Sequence, residues 1–363
     1  MRRCSHARIA LRSPVVRISA EADAARGTRM KFGLFHTVQW PEGTEARDRI
    51  HESLAQAVHA ERIGFDSVWL TEHHFARHGI TGDNLGLLAH LAASTERIRL
   101  GTAVSVLPFH NPLRLAESAA TVDILSNGRF DFGIGRGYQW TEYHGFGVDI
   151  AQGAEMFDES LELITRTWTS KEPFQHRGKH WQFDDVQVFP RPLQQPHPPI
   201  WLATGSPDGL RRCVANDWGV MLPQGTSFAS IEAIVQNYRA ALAEAGKTYD
   251  PMKVVLARAI YCAKDDQTAW DLVDPIYRRF RENVSRLTSS PEALVATPTP
   301  FDTSDLRDTA MFGSPDTCEA MLRRLESIGV EYVIFFDHIG GLKHQQIIDS
   351  LDLFAAEVAP RFA

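Results

Sequence analysis

Short apolar runs alternate with amphipathic stretches along nearly the whole chain from Met30 onward. In the amphipathic stretches, apolar residues recur three or four positions apart, which is the spacing of one helix face. The apolar runs have the length of buried strands and lie at residues 32–35, 67–70, 98–106, 130–134, 199–203, 218–222, 253–261 and 332–336. Strands that alternate with helices in this number predict an α/β fold, a (β/α)8 TIM barrel.

Residue types that are typical of helix starts mark two of the predicted helices. Asn111 and Pro112 mark one start, and Ser206 and Pro207 mark another after the fifth predicted strand. Helices are predicted near residues 45–62, 85–93, 111–125, 157–168, 228–245, 265–281 and 315–328.

Two stretches interrupt the alternation. Residues 173–198 contain many prolines together with aromatic and β-branched residues, and we interpret them as a hairpin-like insertion before strand five. Residues 282–313 look irregular and contain Pro291, Pro298 and Pro300. A loop of this length inside a compact domain is uncommon and usually functional or disordered. We therefore predict a long loop after the seventh helix region.

Residues 1–29 differ from the rest of the chain. They contain seven arginines against two acidic residues and show little periodicity. They also lack the continuous apolar segment of a secretion signal. We predict that residues 1–29 form a disordered N-terminal extension and that residues 30–363 form the barrel domain.

The amino-acid composition excludes some classes of binding partner and some kinds of site. The 363 residues have a formal net charge of −7, which argues against nucleic acid or an anionic membrane as a partner. No apolar run approaches the roughly 20 residues of a membrane-spanning helix. The four cysteines have no spacing typical of metal ligands or of a disulfide framework. We expect a cytoplasmic protein without a metal site.

Residues able to do chemistry follow the predicted strands. The carboxyl ends of barrel strands meet on one face, which is where barrel enzymes have their active sites. Histidines on this face can serve as acid or base near neutral pH. A helix start at Ser206 and a glycine-rich turn with Arg136 follow neighbouring strands and together predict a phosphate site. Other polar residues on this face are His36, Glu72, His73, His74 and Asp337.

A family resemblance rests on five stretches: WLTEHHF (69–75), RLGTAVSVLPFHNPLRLAE (99–117), NGRFDFGIGRG (127–137), PPIWLATGSP (198–207) and GSPDTC (313–318). Through them, the chain from Met30 to Pro360 resembles the luciferase-like flavin-dependent monooxygenases, the superfamily of bacterial luciferase. The resemblance implies a two-component monooxygenase that receives reduced FMN from a separate flavin reductase and reacts with O2 to form a C4a-hydroperoxyflavin. Aromatic residues near the barrel mouth suggest a small apolar or aromatic substrate. The loop at residues 282–313 matches the mobile lid that shields the hydroperoxide from water in luciferase. We also expect a homodimer.

The resemblance also implies roles for single residues. His73 matches the luciferase histidine that acts as a catalytic base, with Glu72 beside it. Glu142 aligns with an aspartate near the flavin and completes the predicted catalytic set. The predicted cofactor-binding residues are Arg136 and Ser206 at the FMN phosphate, Ala103 and Val104 at a non-proline cis peptide beneath the isoalloxazine ring, and Gly135 and Gly205.

Two positions depart from luciferase. Gly135 stands where luciferase has a reactive cysteine, which predicts more space above the flavin. Ala154 stands where luciferase has a second arginine for the phosphate. We consider Arg177 of the insertion as a replacement for that arginine.

Three other functions stay open on the sequence alone. A deazaflavin (F420)-dependent hydride-transfer enzyme would use the same barrel. A metal-dependent barrel hydrolase would use four metal ligands: His36, His73, His74 and Asp337. The first strand, however, lacks the paired histidines that such a site needs. A non-catalytic flavin-binding protein is the third alternative.

Overall fold

The computed structural model describes residues 29–288 and 306–363 of the chain. Its strands are β1 (Lys31–His36), β2 (Ser67–Leu70), β3 (Arg99–Thr102), β4 (Ser105–Val106), β5 (Phe130–Gly135), β6 (Phe174–Arg177), β7 (Gln182–Val186), β8 (Ile200–Ala203), β9 (Gly219–Leu222), β10 (Val254–Cys262), β11 (Ala310–Gly313) and β12 (Tyr332–Phe336). Eight of them pair in parallel around a closed barrel in the order β1, β2, β3, β5, β8, β9, β10 and β12, and β12 returns to β1. The predicted (β/α)8 TIM barrel is confirmed.

Helices surround the barrel. They are α1 (Ala46–Arg62), α2 (Asn84–Ser94), α3 (Pro112–Leu125), α4 (Trp140–Gly145), α5 (Gly153–Thr169), α6 (Pro207–Asn216), α7 (Phe228–Glu244), α8 (Asp266–Thr288), α9 (Leu306–Thr309), α10 (Pro315–Ile328) and α11 (His344–Glu357). Before α3, the Asn111 side chain accepts hydrogen bonds from the backbone N–H groups of Leu113 and Arg114. Before α6, Ser206 accepts one from Gly209. None of these described helices has both the length and the apolar character needed to cross a membrane.

The third predicted strand is two strands in the structure. β3 ends at Thr102, β4 begins at Ser105, and the peptide bond between Ala103 and Val104 is cis. β3 pairs with β2 and β5, and β4 continues the pairing with β5. The resemblance to luciferase implies a cis bond at this position, and the structure agrees.

The insertion before strand five is a hairpin, as predicted, because β6 and β7 pair antiparallel. The lid loop prediction, by contrast, is wrong at both of its ends. α8 continues from its predicted end at residue 281 to Thr288, since its apolar face extends past Phe280 to Val284. β11 pairs with Ala259–Cys262 of β10, so residues 310–313 belong to the sheet. The middle of the predicted lid, residues 289–305, lies outside the described residues.

Aromatic side chains fill the amino-terminal end of the barrel interior. The rings of Trp69 and Trp201 meet edge to face with 5.6 Å between centroids, and both contact Tyr332. The Trp69 indole N–H and the Tyr332 hydroxyl donate to Oγ of Ser67 at 2.9 and 2.7 Å. Three other side chains of this cluster reach the carboxyl end of the barrel: Ala103, Met221 and Ala257. They form the apolar floor of the cavity described below.

The described part of the chain begins just before the predicted domain boundary. Arg29 donates a hydrogen bond to a carboxylate oxygen of Asp66 at 2.6 Å. Because the pair is partly exposed, it contributes only about 0–1 kcal/mol to stability. The predicted disordered extension comprises residues 1–29. Residues 1–28 lie outside the described residues, so their disorder stays a prediction.

Candidate active site

A cavity of about 640 Å³ lies at the carboxyl end of the barrel. Its volume is within the range of roughly 300–1,000 Å³ that is usual for small-molecule and cofactor sites. The lining includes all the residues that the sequence analysis assigns to the site: Glu72, His73, Ala103, Val104, Gly135, Arg136, Glu142, Gly205 and Ser206. The structure therefore brings every predicted site residue to one place.

One end of this cavity carries positive charge. Arg136 follows β5, and its exposed guanidinium makes no hydrogen bond or ion pair with any described residue. Ser206 follows the adjacent strand β8, and the pairing of Ile134 with Leu202 sets the ends of the two strands side by side. Ser206 caps α6, whose first backbone N–H groups and helix dipole favour an anion. These features fit the predicted phosphate site.

A second arginine lies at this end of the cavity. Arg212 of α6 lines the cavity and pairs with Asp158, which lines it as well. Arg177 instead pairs with Asp184 inside the β6–β7 hairpin and does not belong to the lining. The proposal of Arg177 as the replacement arginine is wrong, because the neighbouring strand of its own hairpin holds its side chain. Arg212 could not be predicted from the sequence, because the positions of strand ends do not indicate which face of a helix turns toward the cavity.

The missing side chain at Gly135 does not open space in the cavity. A Cβ atom built on Gly135 would lie 2.5 Å from Cγ2 of Val104. The Val104 side chain occupies the volume in which a cysteine would begin, so the prediction of extra space is wrong. Gly133 on the same strand is also required, since its Cβ would lie 1.7 Å from the carbonyl oxygen of Thr102.

His73 is held by a buried carboxylate. Nδ1 of His73 lies 3.0 Å from Oε1 of Glu142, which comes from the short helix α4 that the sequence analysis does not predict. Glu142 also accepts a hydrogen bond from the backbone N–H of His74 at 3.0 Å. The amide of Gln139 lies 3.1 Å from the same Nδ1, but a carboxylate is the stronger acceptor and favours the proton on Nδ1. Nε2 of His73 is then able to accept a proton, and it has no hydrogen-bond partner among the described residues.

Glu72 is buried, and both of its carboxylate oxygens are engaged. Oε1 accepts from Nε2 of His110 at 2.8 Å and of His74 at 3.0 Å, and Oε2 accepts from the backbone N–H of Val106 at 3.0 Å. Burial acts to raise the pKa of Glu72, but these hydrogen bonds, led by the one from His110, hold it below its usual value. Glu72 is therefore ionised, and it ties the segment that starts at β4 to the loop after β2. His74 does not belong to the cavity lining, whereas His73 does.

His78 lines the cavity although the sequence analysis does not single it out. It lies in the loop between β2 and α2. The centroid of its ring is 4.4 Å from that of His73 and 5.4 Å from that of Phe280 in α8. Burial, with a smaller contribution from His73, lowers the pKa of His78 well below its usual value. No strand end and no matched motif marks this position, so the sequence pattern does not reveal it.

The residues of the metal-hydrolase alternative do not come together. Nε2 of His36 lies 3.1 Å from Oδ1 of Asp337, and Nδ1 of His36 lies 2.8 Å from Oγ of Ser53. Neither His36 nor Asp337 lines the cavity that contains His73. Within residues 29–288 and 306–363, no three His, Cys, Asp or Glu side chains are grouped as a metal site.

A family model described as luciferase-like monooxygenase matches residues 30–332 of the chain. The chain belongs to this family. The match includes every residue that lines the cavity. The resemblance inferred from the five sequence stretches is therefore confirmed, and luciferase-like monooxygenases provide the relevant comparisons.

Three related proteins show how far the likeness extends. The oxygenase component of the flavin-dependent trigonelline monooxygenase from Acinetobacter baylyi is 29% identical over 350 residues, which are 92% of this chain and 96% of that protein. The crystal structure of monooxygenase RslO1 from Streptomyces bottropensis has a TM-score of 0.83 at 27% identity and covers 92% of this chain and 100% of its own. An F420-dependent secondary alcohol dehydrogenase has a TM-score of 0.74 at 17% identity, with 93% and 100% coverage, and shares the fold alone.

We predict that the contact between Glu72 and His110 makes stability depend on pH. Burial acts to lower the pKa of His110, but the Glu72 carboxylate raises it above 6.5. That contribution to stability is complete below pH 6.5 and is lost as the pH rises through the folded-state value. The contribution of Glu72 is complete above pH 4.5 and is lost as the pH falls through its lowered folded-state value. The contact between Glu72 and His110 therefore contributes most to stability between pH 4.5 and pH 6.5.

His110→Gln should lower the free energy of unfolding by about 1 kcal/mol near pH 6. The difference from the unaltered protein should be smaller at about pH 9, because the contribution of His110 is lost as the pH rises through its raised folded-state pKa. Denaturant titrations at the two pH values measure this, with the exposed His90 of α2 changed to Gln as a control. An equally large loss at both pH values would show that His110 acts through packing alone.

Proposed function

We propose that the protein is the oxygenase component of a two-component flavin-dependent monooxygenase, which uses reduced FMN and O2 to oxygenate a small apolar or aromatic substrate. One observation carries the proposal: a single cavity contains the unpaired guanidinium of Arg136 at one end and the free Nε2 of His73 elsewhere in its wall. The first suits the phosphate of FMN, and the second suits proton transfer. Family membership and the flavin-dependent relative support the same assignment.

The residues of the cavity fit FMN. Arg136 and the Ser206 cap of α6 would bind the phosphate, as a cation and a helix start do for other phosphates. Ala103 and Val104 would lie beneath the ring system, where the cavity floor is apolar. Arg212 lines the same cavity and is the arginine that could take the place of the one missing at position 154, once its side chain turns from Asp158 to the phosphate.

Different side chains of the protein have different roles in the proposed reaction. When bound, reduced FMN would supply the two electrons that allow one oxygen atom of O2 to enter the substrate and the other to leave as water. His73 takes up or returns a proton at Nε2, while Glu142 fixes the proton on its Nδ1. Glu72 acts indirectly, because its carboxylate oxygens are engaged in hydrogen bonds that hold the loop carrying His73. Apolar side chains of the wall, among them Phe35, exclude water from the reaction.

A partner enzyme follows from this assignment. The trigonelline monooxygenase relative is named as an oxygenase component. We infer the same division here, with a separate flavin reductase that supplies reduced FMN by diffusion. A deazaflavin is the competing cofactor, since an F420-dependent enzyme shares the barrel. The 29% identity to a flavin-dependent relative, against 17% to the F420-dependent enzyme, favours FMN.

Arg136→Ala should weaken FMN binding about 10- to 100-fold and leave riboflavin binding nearly unchanged. The reason is that a charge-assisted hydrogen bond is worth about 1.5–3 kcal/mol, and riboflavin has no phosphate to make it. Flavin fluorescence titrations of both ligands measure the difference. Arg114→Ala is the matched control, because Arg114 lies on α3 with its side chain 82% exposed and outside the cavity lining.

An equal loss for FMN and riboflavin would mean that Arg136 supports the fold and not the phosphate. Substrate turnover with reduced deazaflavin in the absence of O2, and none with reduced FMN and O2, would replace the proposal with the hydride-transfer alternative.

His73→Asn should keep near-parental FMN affinity but oxidise substrate at least roughly 10²-fold more slowly, since removal of a general base typically costs 10²- to 10⁴-fold. Hydrogen peroxide released per reduced FMN consumed should rise, because oxygen reduction then proceeds without transfer to the substrate. Stopped-flow oxidation together with peroxide quantification measures both effects.

His74→Asn serves as the comparison for this prediction. His74 bonds to Glu72 outside the cavity, so its loss should slow turnover less than the loss of His73. Normal turnover and normal coupling in His73→Asn would remove His73 from the chemistry.

A further inference from the structure

We propose that Tyr143 positions Arg136 for the FMN phosphate, and that Gly153 provides the space for the hydroxyl group that does so. Tyr143 does not line the cavity, so it acts through the backbone of Arg136 and not on the ligand itself. The inference rests on the proposed function, because it takes Arg136 for the residue that binds the phosphate. It adds to that site two residues that no strand end and no matched motif indicates.

A hydrogen bond from Tyr143 holds the backbone of Arg136. Arg136 lies one residue beyond the end of β5, where the pairing of that strand with its neighbours stops. The Tyr143 hydroxyl donates to the carbonyl oxygen of Arg136 at 2.6 Å. Burial raises the pKa of Tyr143 to about 12, so the hydroxyl keeps its proton at neutral pH and serves as the donor. The bond fixes the backbone from which the guanidinium extends.

The turn that carries Arg136 needs such a hydrogen bond. Gly135 and Gly137 flank the arginine, and glycine has more backbone freedom than any other residue. Gly137 has a φ of +77°, and a Cβ built on it would lie 2.7 Å from Cγ1 of Val106. Glycine is therefore required at position 137, and the flexibility that it brings has to be limited by contacts elsewhere. The Tyr143 hydroxyl provides one of them.

Tyr143 is itself held firmly in place. It is 1% exposed, and its ring meets that of Phe109 edge to face with 4.9 Å between centroids. It lies in α4 next to Glu142, whose carboxylate holds the His73 ring. One short helix therefore supports both the proposed base and the proposed phosphate ligand, each through a different side chain.

The glycine at position 153 is explained by the Tyr143 hydroxyl and not by its own backbone. Gly153 is the first residue of α5, and its φ of −57° and ψ of −32° are helical values that any residue adopts. Alanine forms helices more readily than glycine. A Cβ built on Gly153, however, would lie 2.3 Å from the hydroxyl oxygen of Tyr143 and 2.9 Å from its Cζ. Only glycine leaves the hydroxyl where it is.

Tyr143→Phe tests the positioning role, because it keeps the ring and removes the hydroxyl. The affinities of the full-length protein for FMN and for riboflavin are measured by fluorescence titration. FMN binding should weaken about 3- to 10-fold, as expected for one lost hydrogen bond, and riboflavin binding should stay within about twofold. Gly153→Ala displaces the hydroxyl and should show the same selective loss.

Tyr249→Phe is the matched control. The Tyr249 hydroxyl also donates to a backbone carbonyl, that of Gly329, at 2.6 Å, and Tyr249 does not line the cavity. This variant should lower the thermal unfolding temperature about as much as Tyr143→Phe but leave both flavin affinities unchanged. The comparison separates the loss of stability, which both variants share, from the loss of phosphate binding, which is expected of Tyr143→Phe.

A double-mutant cycle tests whether Tyr143 acts through Arg136. In the Arg136→Ala protein, the additional change Tyr143→Phe should alter FMN affinity less than about twofold, because the guanidinium that it positions is already gone. An effect as large as in the presence of Arg136 would overturn the proposal. An unchanged ratio of FMN to riboflavin affinity in Tyr143→Phe would overturn it as well, whether or not Gly153→Ala folds.

Failure of this inference differs from failure of the proposed function. A selective loss of FMN binding in Arg136→Ala without one in Tyr143→Phe removes the positioning role alone and leaves the phosphate site standing. A protein that binds no FMN, or in which Arg136→Ala weakens FMN and riboflavin alike, contradicts the proposed function and this inference with it.

Discussion

Two buried carboxylates hold the loop after β2 in place, and the active-site cavity depends on them. Glu72 binds His74, His110 and the backbone of Val106, which joins that loop to the segment starting at β4. Glu142 binds the His73 ring and the backbone of His74. A buried carboxylate is costly unless its oxygens accept hydrogen bonds, and breaking such a contact from one side is strongly destabilising. Both carboxylates therefore fix the position of His73 through hydrogen bonds.

The cavity separates its charged and apolar parts. Its positive end is built where β5 and β8 finish side by side, with Arg136 on one strand end and the capped helix after Ser206 on the other. The wall formed by His73, His78 and Phe280 is aromatic and presents one free imidazole nitrogen. The arrangement suits a ligand with an anionic tail and a flat body, together with a second, uncharged molecule. Because the barrel places all strand ends on one face, a single cavity can provide both regions.

Much of this could be predicted from the sequence, for identifiable reasons. β2 and β12 have their predicted bounds because each is an uninterrupted buried run. The starts of α3 and α6 are readable from their caps at Asn111 and Ser206. Residues at strand ends could be assigned to one site because barrel topology brings strand ends together.

What could not be predicted depends on packing between distant segments. α8 extends to Thr288 because its apolar face continues into the cavity wall, although its last residues are mostly polar. His78 and Arg212 lie on a loop and on a helix face, where no local pattern shows which side chains turn inward. The space at Gly135 was misjudged because the side chain of Val104, which lies between β3 and β4, fills it.

We propose that this cavity binds FMN with its phosphate at the end that contains Arg136 and Ser206. An experimental structure of the protein in complex with FMN tests it most directly. Phosphate oxygens should lie within hydrogen-bonding distance of the Arg136 guanidinium and the Ser206 hydroxyl, with the ring system against Ala103 and Val104. A flavin bound outside the cavity, or with its phosphate away from both Arg136 and Ser206, would contradict it.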